Sequence, residues 1–394
     1  MALGALIGAY QEDDSGGLRA LLPLSGRTLL EYQVRCAAAA GASPIVVLVE
    51  RVPVALQDAF ERLRGEGISV TPVSDGLEAA SRFEAGAMVL LVSDGIAPPS
   101  ELLAELAALD EPTVVTVPDD GEHDRFERVD GDSRWAGLAV IDARSLGSTA
   151  AMVGDWDLPS TLLRRTLQDG AARLPLAPGS SEPLLADEAG MLDDFDRRLL
   201  IASRGARRDW ASRYVLPIAE EFATERLLET RVKPDALIWS ALLLTLGGAF
   251  AFTRGWLAAG LVLLVLSTPL DLVARRLATL RLRPLPARLL SRMMIWPASG
   301  VALLALGWWI AEAAGWWALV AALAAAAFAE AARVERGRQE VPGQIWLFSR
   351  RNAIILAIPF AIAGAWPLYL AVIALYAAVS FFYLQHIRHR IAVD

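Results

Sequence analysis

The chain has 394 residues, 55% of them apolar, with a mean hydropathy of +0.40 and a formal charge of −8 at pH 7. That length admits two domains, and that hydropathy exceeds what an ordinary soluble protein carries. Cys36 is the only cysteine, which excludes a disulfide framework and a cysteine-based metal site. The charge is unevenly spread. Residues 236–394 hold 14 arginines and 6 acidic residues, a charge of +8, which leaves −16 on residues 1–235. Lys233 is the only lysine, so the basic chemistry is arginine chemistry. The opening residues show no basic n-region and no cleavage site, so no secretory signal is expected.

Residues 1–190 alternate β-branched or aliphatic runs with helical patterns. Strands are expected at ALGALIGA from Ala2, PIVVLV from Pro44, ISVTPV from Ile68, AMVLLVSDG from Ala87, TVVTV from Thr113 and GLAVID from Gly137. Between them RTLLEYQVRCAAAA, VALQDAFERLR and SELLAELAAL have amphipathic helical spacing. Strands alternating with helices imply a doubly wound, mostly parallel sheet, with its site at the carboxyl ends of the strands.

Residues 191–235 read as a charged linker in which Trp210, Tyr214, Ile218 and Phe222 fall four apart. One apolar stripe directly before an apolar run predicts a helix lying in a membrane surface. From 236 to 394 the apolar runs come in pairs, at about 236–252, 256–272, 293–311, 316–332, 353–366 and 368–385, which predicts an all-α, six-helix transmembrane domain. Nearly all the arginines of this half lie in 275–292, 333–351 and the tail HIRHR. That asymmetry predicts a multi-pass protein of the inner (cytoplasmic) membrane with both termini in the cytoplasm.

The stretch LSTPLDLVARRLATLRLRPLPARLLSRMMIW, residues 266–296, is where chemistry would concentrate. It closes an apolar run on Asp271 and enters a loop carrying Arg275, Arg276, Arg281, Arg283, Arg288 and Arg292. An acid at a helix end inside hydrocarbon is costly unless it is paired or used. Asp271 with Arg275 is therefore the candidate catalytic pair, with Asp271 a candidate metal ligand and Arg276, Arg281 and Arg283 candidate anion-binding residues. An ion pair one turn apart, Asp271 with Arg275 or Arg276, fits the same spacing.

The segment SGGLRALLPLSGRTLLEYQVRCAAAAGA from Ser15, with AMVLLVSDG from Ala87, resembles the sugar-nucleotide and polyol-phosphate nucleotidyltransferases. The resemblance gives Gly8 and Arg19 nucleotide-binding roles and makes Asp94 a nucleotide and Mg²⁺ ligand. At the family's glycine-rich turn this chain has AYQEDDSGG, and three carboxylates, Glu12, Asp13 and Asp14, would oppose a triphosphate. The family's later D-x-D motif falls around Glu188 and Gly190, which puts glycine at the second metal ligand.

The second half, through RDWASRYVLPIAEEFATERLLETRVKPDA, the paired spans and SRRNAIILAIPFAIAGAW, resembles the CDP-alcohol phosphatidyltransferases. The fusion resembles the bifunctional inositol-phosphate cytidylyltransferase and di-inositol-phosphate phosphate synthase family. The resemblance implies phospho-polyol or phospholipid head-group synthesis, Mg²⁺, a membrane lipid with a CDP-alcohol or other nucleotide, and a homodimer. It implies no nucleic-acid partner. The family motif D-G-x-x-A-R…G-x-x-x-D-x-x-x-D survives only as LDLVARR, and LPARLLSRMMIWPASG contains no acid. The expectation is a membrane protein of this fusion type with both catalytic motifs eroded. The alternative is a non-catalytic protein that binds an anionic lipid, a nucleotide or a partner enzyme.

Overall fold

A computed structural model describes residues 2–153, 157–176, 182–205, 207–228, 230, 232–282, 290–336 and 341–391. The chain divides into two compact units, residues 1–201 with 281–283, and residues 202–280 with 284–394.

In the first unit β1 (Leu3–Gly8) is followed by a small hairpin, β2 (Pro23–Leu24) and β3 (Arg27–Thr28). Then come α1 (Leu29–Ala39), β4 (Ile45–Leu48), α2 (Val54–Gly65), β5 (Val70–Val73) and α3 (Gly76–Ser81). β6 (Met88–Val92), β7 (Ile96–Ala97), α4 (Ser100–Ala107), β8 (Thr113–Pro118), β9 (Glu127–Arg128) and β10 (Ser133–Asp142) follow. α5 (Ala143–Val153), α6 (Leu158–Gln168), β11 (Ala172–Pro175), β12 (Leu184–Leu185) and α7 (Leu192–Ala202) complete it.

Period-two burial builds the sheet. β1 sends Ala5 and Ile7 into one apolar cluster and Leu6 into another, and β6 divides Leu90 and Val92 from Val89 and Leu91 in the same way. Strands buried on both faces read as continuous apolar runs, which is why they are legible in the sequence. Leu29, Leu56, Leu103 and Phe195 bring α1, α2, α4 and α7 to one face, while Ala79, Leu146 and Leu162 bring α3, α5 and α6 to the other. The strand order is β11-β8-β10-β6-β1-β4-β5, with β9 beside β10. Within this sheet all pairings are parallel except those of β10, which runs antiparallel to β6, β8 and β9. The six expected strands all form.

α1 starts at a reciprocal cap: Thr28 accepts from the backbone N–H of Glu31, and the Glu31 carboxylate accepts from Thr28. Such a box satisfies two of the N–H groups that every helix start leaves unbonded.

In the second unit the linker segment is a π-helical turn (Ala211–Val215) and α8 (Pro217–Leu228) rather than one continuous helix. Leu216 donates back to Ala211, and Pro217, which has no N–H, starts the next helix. Tyr214, Ile218 and Phe222 are all exposed.

α9 (Pro234–Thr253), α10 (Leu257–Leu280), α11 (Leu290–Ala314), α12 (Trp317–Arg336), α13 (Arg350–Ile362) and α14 (Trp366–Ile391) form the bundle. α9 and α10 approach closely through glycine, since a Cβ on Gly260 would come within 2.5 Å of the Phe252 ring and 3.1 Å of the Gly248 carbonyl. Trp308 and Trp316 stand exposed and edge to face near the turn between α11 and α12.

Two sequence expectations are corrected here. Arg275 and Arg276 lie within α10, which runs to Leu280, not in a loop. Five described helices, not six, are long and apolar enough to cross a membrane. The exception is α13, whose 13 residues reach only about 20 Å against a hydrocarbon core of about 30 Å. Its length is set at both ends: the Ser349 side chain caps it by accepting from Asn352, and Gly364 turns the chain with φ +67°.

Candidate functional site

In the first unit, the candidate residues meet where β1 and β6 end. Gly8 closes β1, and a Cβ there would come within 3.0 Å of the Asp94 backbone nitrogen, so only glycine lets the two segments approach. Asp94 is 1% exposed. Its Oδ2 accepts from the backbone N–H groups of Tyr10 and Gln11, each at 2.6 Å. Its Oδ1 is buried without a hydrogen-bond partner. Burial pushes the Asp94 pKa above the usual carboxylate range, against the backbone donors of Gln11 and Tyr10.

Arg19 runs beside this group: its Nε donates to the Glu12 carbonyl at 3.1 Å and its Nη1 to Gln11 Oε1 at 2.9 Å. A Cβ on Gly95 would meet the Arg19 Cδ at 3.1 Å and the Ala186 carbonyl at 2.8 Å. The structure thus gathers Gly8, Arg19 and Asp94. Two of the three acids in the neighbouring loop are already engaged. Glu12 pairs with Arg51 at 2.6 Å, and Asp13 Oδ1 accepts from Ser15 and Gly17 inside its own turn.

One residue before Glu188, where the sequence places the D-x-D motif, stands Asp187. β12 pairs antiparallel with β7, and Ala186 N–H donates to the Gly95 carbonyl at 2.8 Å; continued by one residue on each side, that register carries Asp187 towards Asp94. Asp187 Oδ2 is held by Arg125 at 2.5 Å, while its Oδ1 is buried without a hydrogen-bond partner. Asp94 and Asp187 therefore each offer one unbonded carboxylate oxygen, the chemistry a hard divalent cation takes. Among the described residues no group of three or more His, Cys, Asp or Glu is close enough to hold a metal.

In the second unit the site is organised by the first turn of α13. Arg351 Nη1 donates to Asp209 Oδ2 at 2.8 Å, and its Nη2 donates to Asp271 Oδ2. Arg275 Nη2 donates to the same Asp271 oxygen at 2.6 Å, the i,i+4 pair read from the sequence. Arg350, 9% exposed, donates to Ser299 Oγ at 2.8 Å, to Thr245 Oγ1 at 2.8 Å and to Ser267 Oγ. Asn352 ties in the π-helical turn by accepting from Ala211 N–H at 3.1 Å, and donates to the Leu347 carbonyl at 3.0 Å.

The charged residues of this set border a cavity of about 290 Å³ whose lining includes Arg208, Arg275, Arg336, Arg350 and Arg351 against Asp209 and Asp271. Five cations against two acids give it a formal charge of +3. Arg276 is not in this lining. It is buried, donates to Ser203 Oγ at 3.2 Å and lies 3.6 Å from Glu220. Arg281 is also buried, and Arg283 lies outside the described residues. Asp271 Oδ1 is buried without a hydrogen-bond partner, but Mg²⁺ does not fit this set, because Arg351 already holds an oxygen of each carboxylate and four further arginines line the cavity against only two acids.

Asp209, Arg350 and Arg351 were not singled out as site residues from the sequence, although one signal was present. SRRN puts two cations at the start of an apolar helix, where the helix dipole disfavours them, so they need an acidic or anionic partner.

The described residues form a mostly parallel α/β unit and a helical unit in which five helices are able by length and composition to cross a membrane. No protein-family model and no curated protein matches the chain. Among solved structures it is similar to a protein from Bacillus anthracis described as a glucose-1-phosphate thymidylyltransferase and crystallised with sucrose. That similarity has a TM-score of 0.41 at 12% identity, covering 50% of this chain and 95% of the other.

Proposed function

We propose that this is a membrane protein of the nucleotidyltransferase and CDP-alcohol phosphatidyltransferase fusion type whose helical unit binds a phosphate-bearing ligand without performing metal-dependent transfer. The observation that carries this reading is Arg351 bridging Asp209 and Asp271. Two carboxylates that share one guanidinium, in a lining that carries four more arginines, make a poor metal site and poor bases, whereas the excess arginines suit phosphate oxygens. The anion would be a lipid phosphate, a CDP-alcohol or another nucleotide diphosphate. The arginine-rich ends of the helices would face the cytoplasm, with α13 entering from that side.

The test is binding and turnover by the purified full-length protein in detergent. A CDP-alcohol or pyrophosphate is expected to bind equally well in Mg²⁺ and in EDTA, with no CMP released. Mg²⁺-dependent CMP release that Asp271→Asn abolishes would overturn the reading.

A second reading concerns the first unit alone and rests on the unbonded oxygens of Asp94 and Asp187. There a divalent cation and a nucleotide would bind, with Arg19 beside them; the cation would supply charge neutralisation on the phosphates. Mg²⁺-dependent binding of a fluorescent nucleoside triphosphate, lost in Asp187→Asn, is the expected result. Binding indifferent to both Mg²⁺ and the substitution would sink it.

A further inference from the structure

We propose that the helical unit takes a lipid phosphate with one hydrocarbon chain threaded into the bundle, its phosphate on Arg350 and its chain in the apolar cavity behind that residue. The inference rests on the anion-binding reading of the arginine-lined cavity and adds the class of ligand.

Two cavities share a wall. The polar one, about 290 Å³, and an apolar one of about 90 Å³ are both lined by Arg350 and Trp296. The apolar cavity is otherwise bordered by side chains such as Phe252, Leu264, Leu303, Ile354 and Tyr369, contributed by helices from α9 to α14. Trp296 is fixed at the junction, its indole N–H donating to Glu330 Oε2 at 2.7 Å.

Arg350 supplies the reason for an anion at this junction. Its guanidinium is buried, and its hydrogen bonds go to three hydroxyl oxygens on α9, α10 and α11. Among the described residues no carboxylate lies within ion-pair distance of it. Hydroxyls solvate a cation without neutralising it, so the site favours a ligand that brings negative charge. A phosphate monoester does so and accepts from guanidinium nitrogens as well.

The second cavity says what the phosphate is attached to. An apolar cavity stays dry and takes hydrocarbon. At about 30 Å³ for a group the size of water or methylene, it admits roughly three methylenes, the end of one chain and not a pair of chains. Gly300 lines this cavity, and a Cβ built on it meets nothing within 4 Å. An alkyl side chain there would occupy the space without pressing on backbone.

The test uses the full-length protein in neutral detergent with two probes, oleoyl lysophosphatidate and chainless glycerol 3-phosphate. The wild type should bind the lysophosphatidate some tens-fold more tightly, the gain from burying about three methylenes. Gly300→Leu should erase most of that advantage and leave glycerol 3-phosphate unchanged. Arg350→Gln should weaken both probes; should it fail to fold, Gly300→Leu still decides. Undiminished lysophosphatidate binding by Gly300→Leu, or an equal loss of both probes, overturns the chain site while leaving the anion site standing. Failure of the wild type to bind either probe removes the anion site itself.

Discussion

Arg351 and Asp271 form an ion pair between α13 and α10, and the same guanidinium holds Asp209, so two carboxylates share one cation at the rim of the arginine-lined cavity. Arg351→Ala would leave two acids largely buried without it, and breaking such a pair costs roughly 3–5 kcal/mol. Arg275 pairs with Asp271 from a side chain that is 47% exposed, so Arg275→Ala should cost no more than about 0.5 kcal/mol. Thermal unfolding of the two variants in detergent checks this. Equal losses would show that Arg351 does not organise the site.

Asp94 is held above the ordinary carboxylate range by burial, so its contribution has a definite sign with pH. Stability from its protonated form is complete below the unfolded carboxylate pKa and is lost as pH rises through the higher folded value. Asp94→Asn is therefore expected to raise the melting temperature at neutral pH without Mg²⁺ and to have little effect at pH 3. It should also abolish any stabilisation by added Mg²⁺. A neutral-pH melting temperature lower than that of the wild type would contradict the assignment.

Glu31 is fully buried and serves two structures at once. It closes the cap of α1, and it pairs with Arg62 at 2.8 Å and Arg35 at 3.4 Å. Burial, the largest influence, raises its pKa, but the hydrogen bond from Arg62 and the charge of Arg35 outweigh it and the net shift is downward. A depressed carboxylate stabilises the fold above its unfolded pKa and loses that contribution as pH falls through the folded value. Glu31→Gln should cost about 1–3 kcal/mol at pH 7, because Arg62 loses its charged partner while Arg35 keeps Glu66. The difference from wild type should shrink towards pH 3, as denaturant unfolding at the two pH values will show.

The buried thiol of Cys36 is pushed up to about 12 by burial. Since the thiolate is the reactive form, native protein at pH 8 should alkylate roughly a thousandfold more slowly than an unfolded control. Rapid labelling under native conditions would mean that α1 opens readily.

The sequence was most legible where one strand or one helix carries its own signal. The strands of the first unit are doubly buried and thus read as apolar runs, and the i,i+4 spacing of Asp271 and Arg275 foretold their contact. Helix limits were less legible. The apolar run at 353–366 was already short in the sequence, but it did not show that the Ser349 cap starts α13 at Arg350, three residues before the run, and that the helix ends at Ile362. Nor did the four-residue spacing of Trp210, Tyr214, Ile218 and Phe222 reveal the break before Pro217.

What the sequence alone determined, then, is the division into an acidic, strand-rich half and an apolar, arginine-bearing half, because hydrophobic periodicity and charge are local properties of a chain. What only the tertiary structure decided is which charges meet. Asp187 reaches the neighbourhood of Asp94 through the pairing of β12 with β7, and Arg351 reaches Asp209 and Asp271 across 142 and 80 positions of sequence. Partners that far apart are selected by packing, since a buried charge takes whichever counter-charge the fold delivers, and no spacing rule encodes that choice.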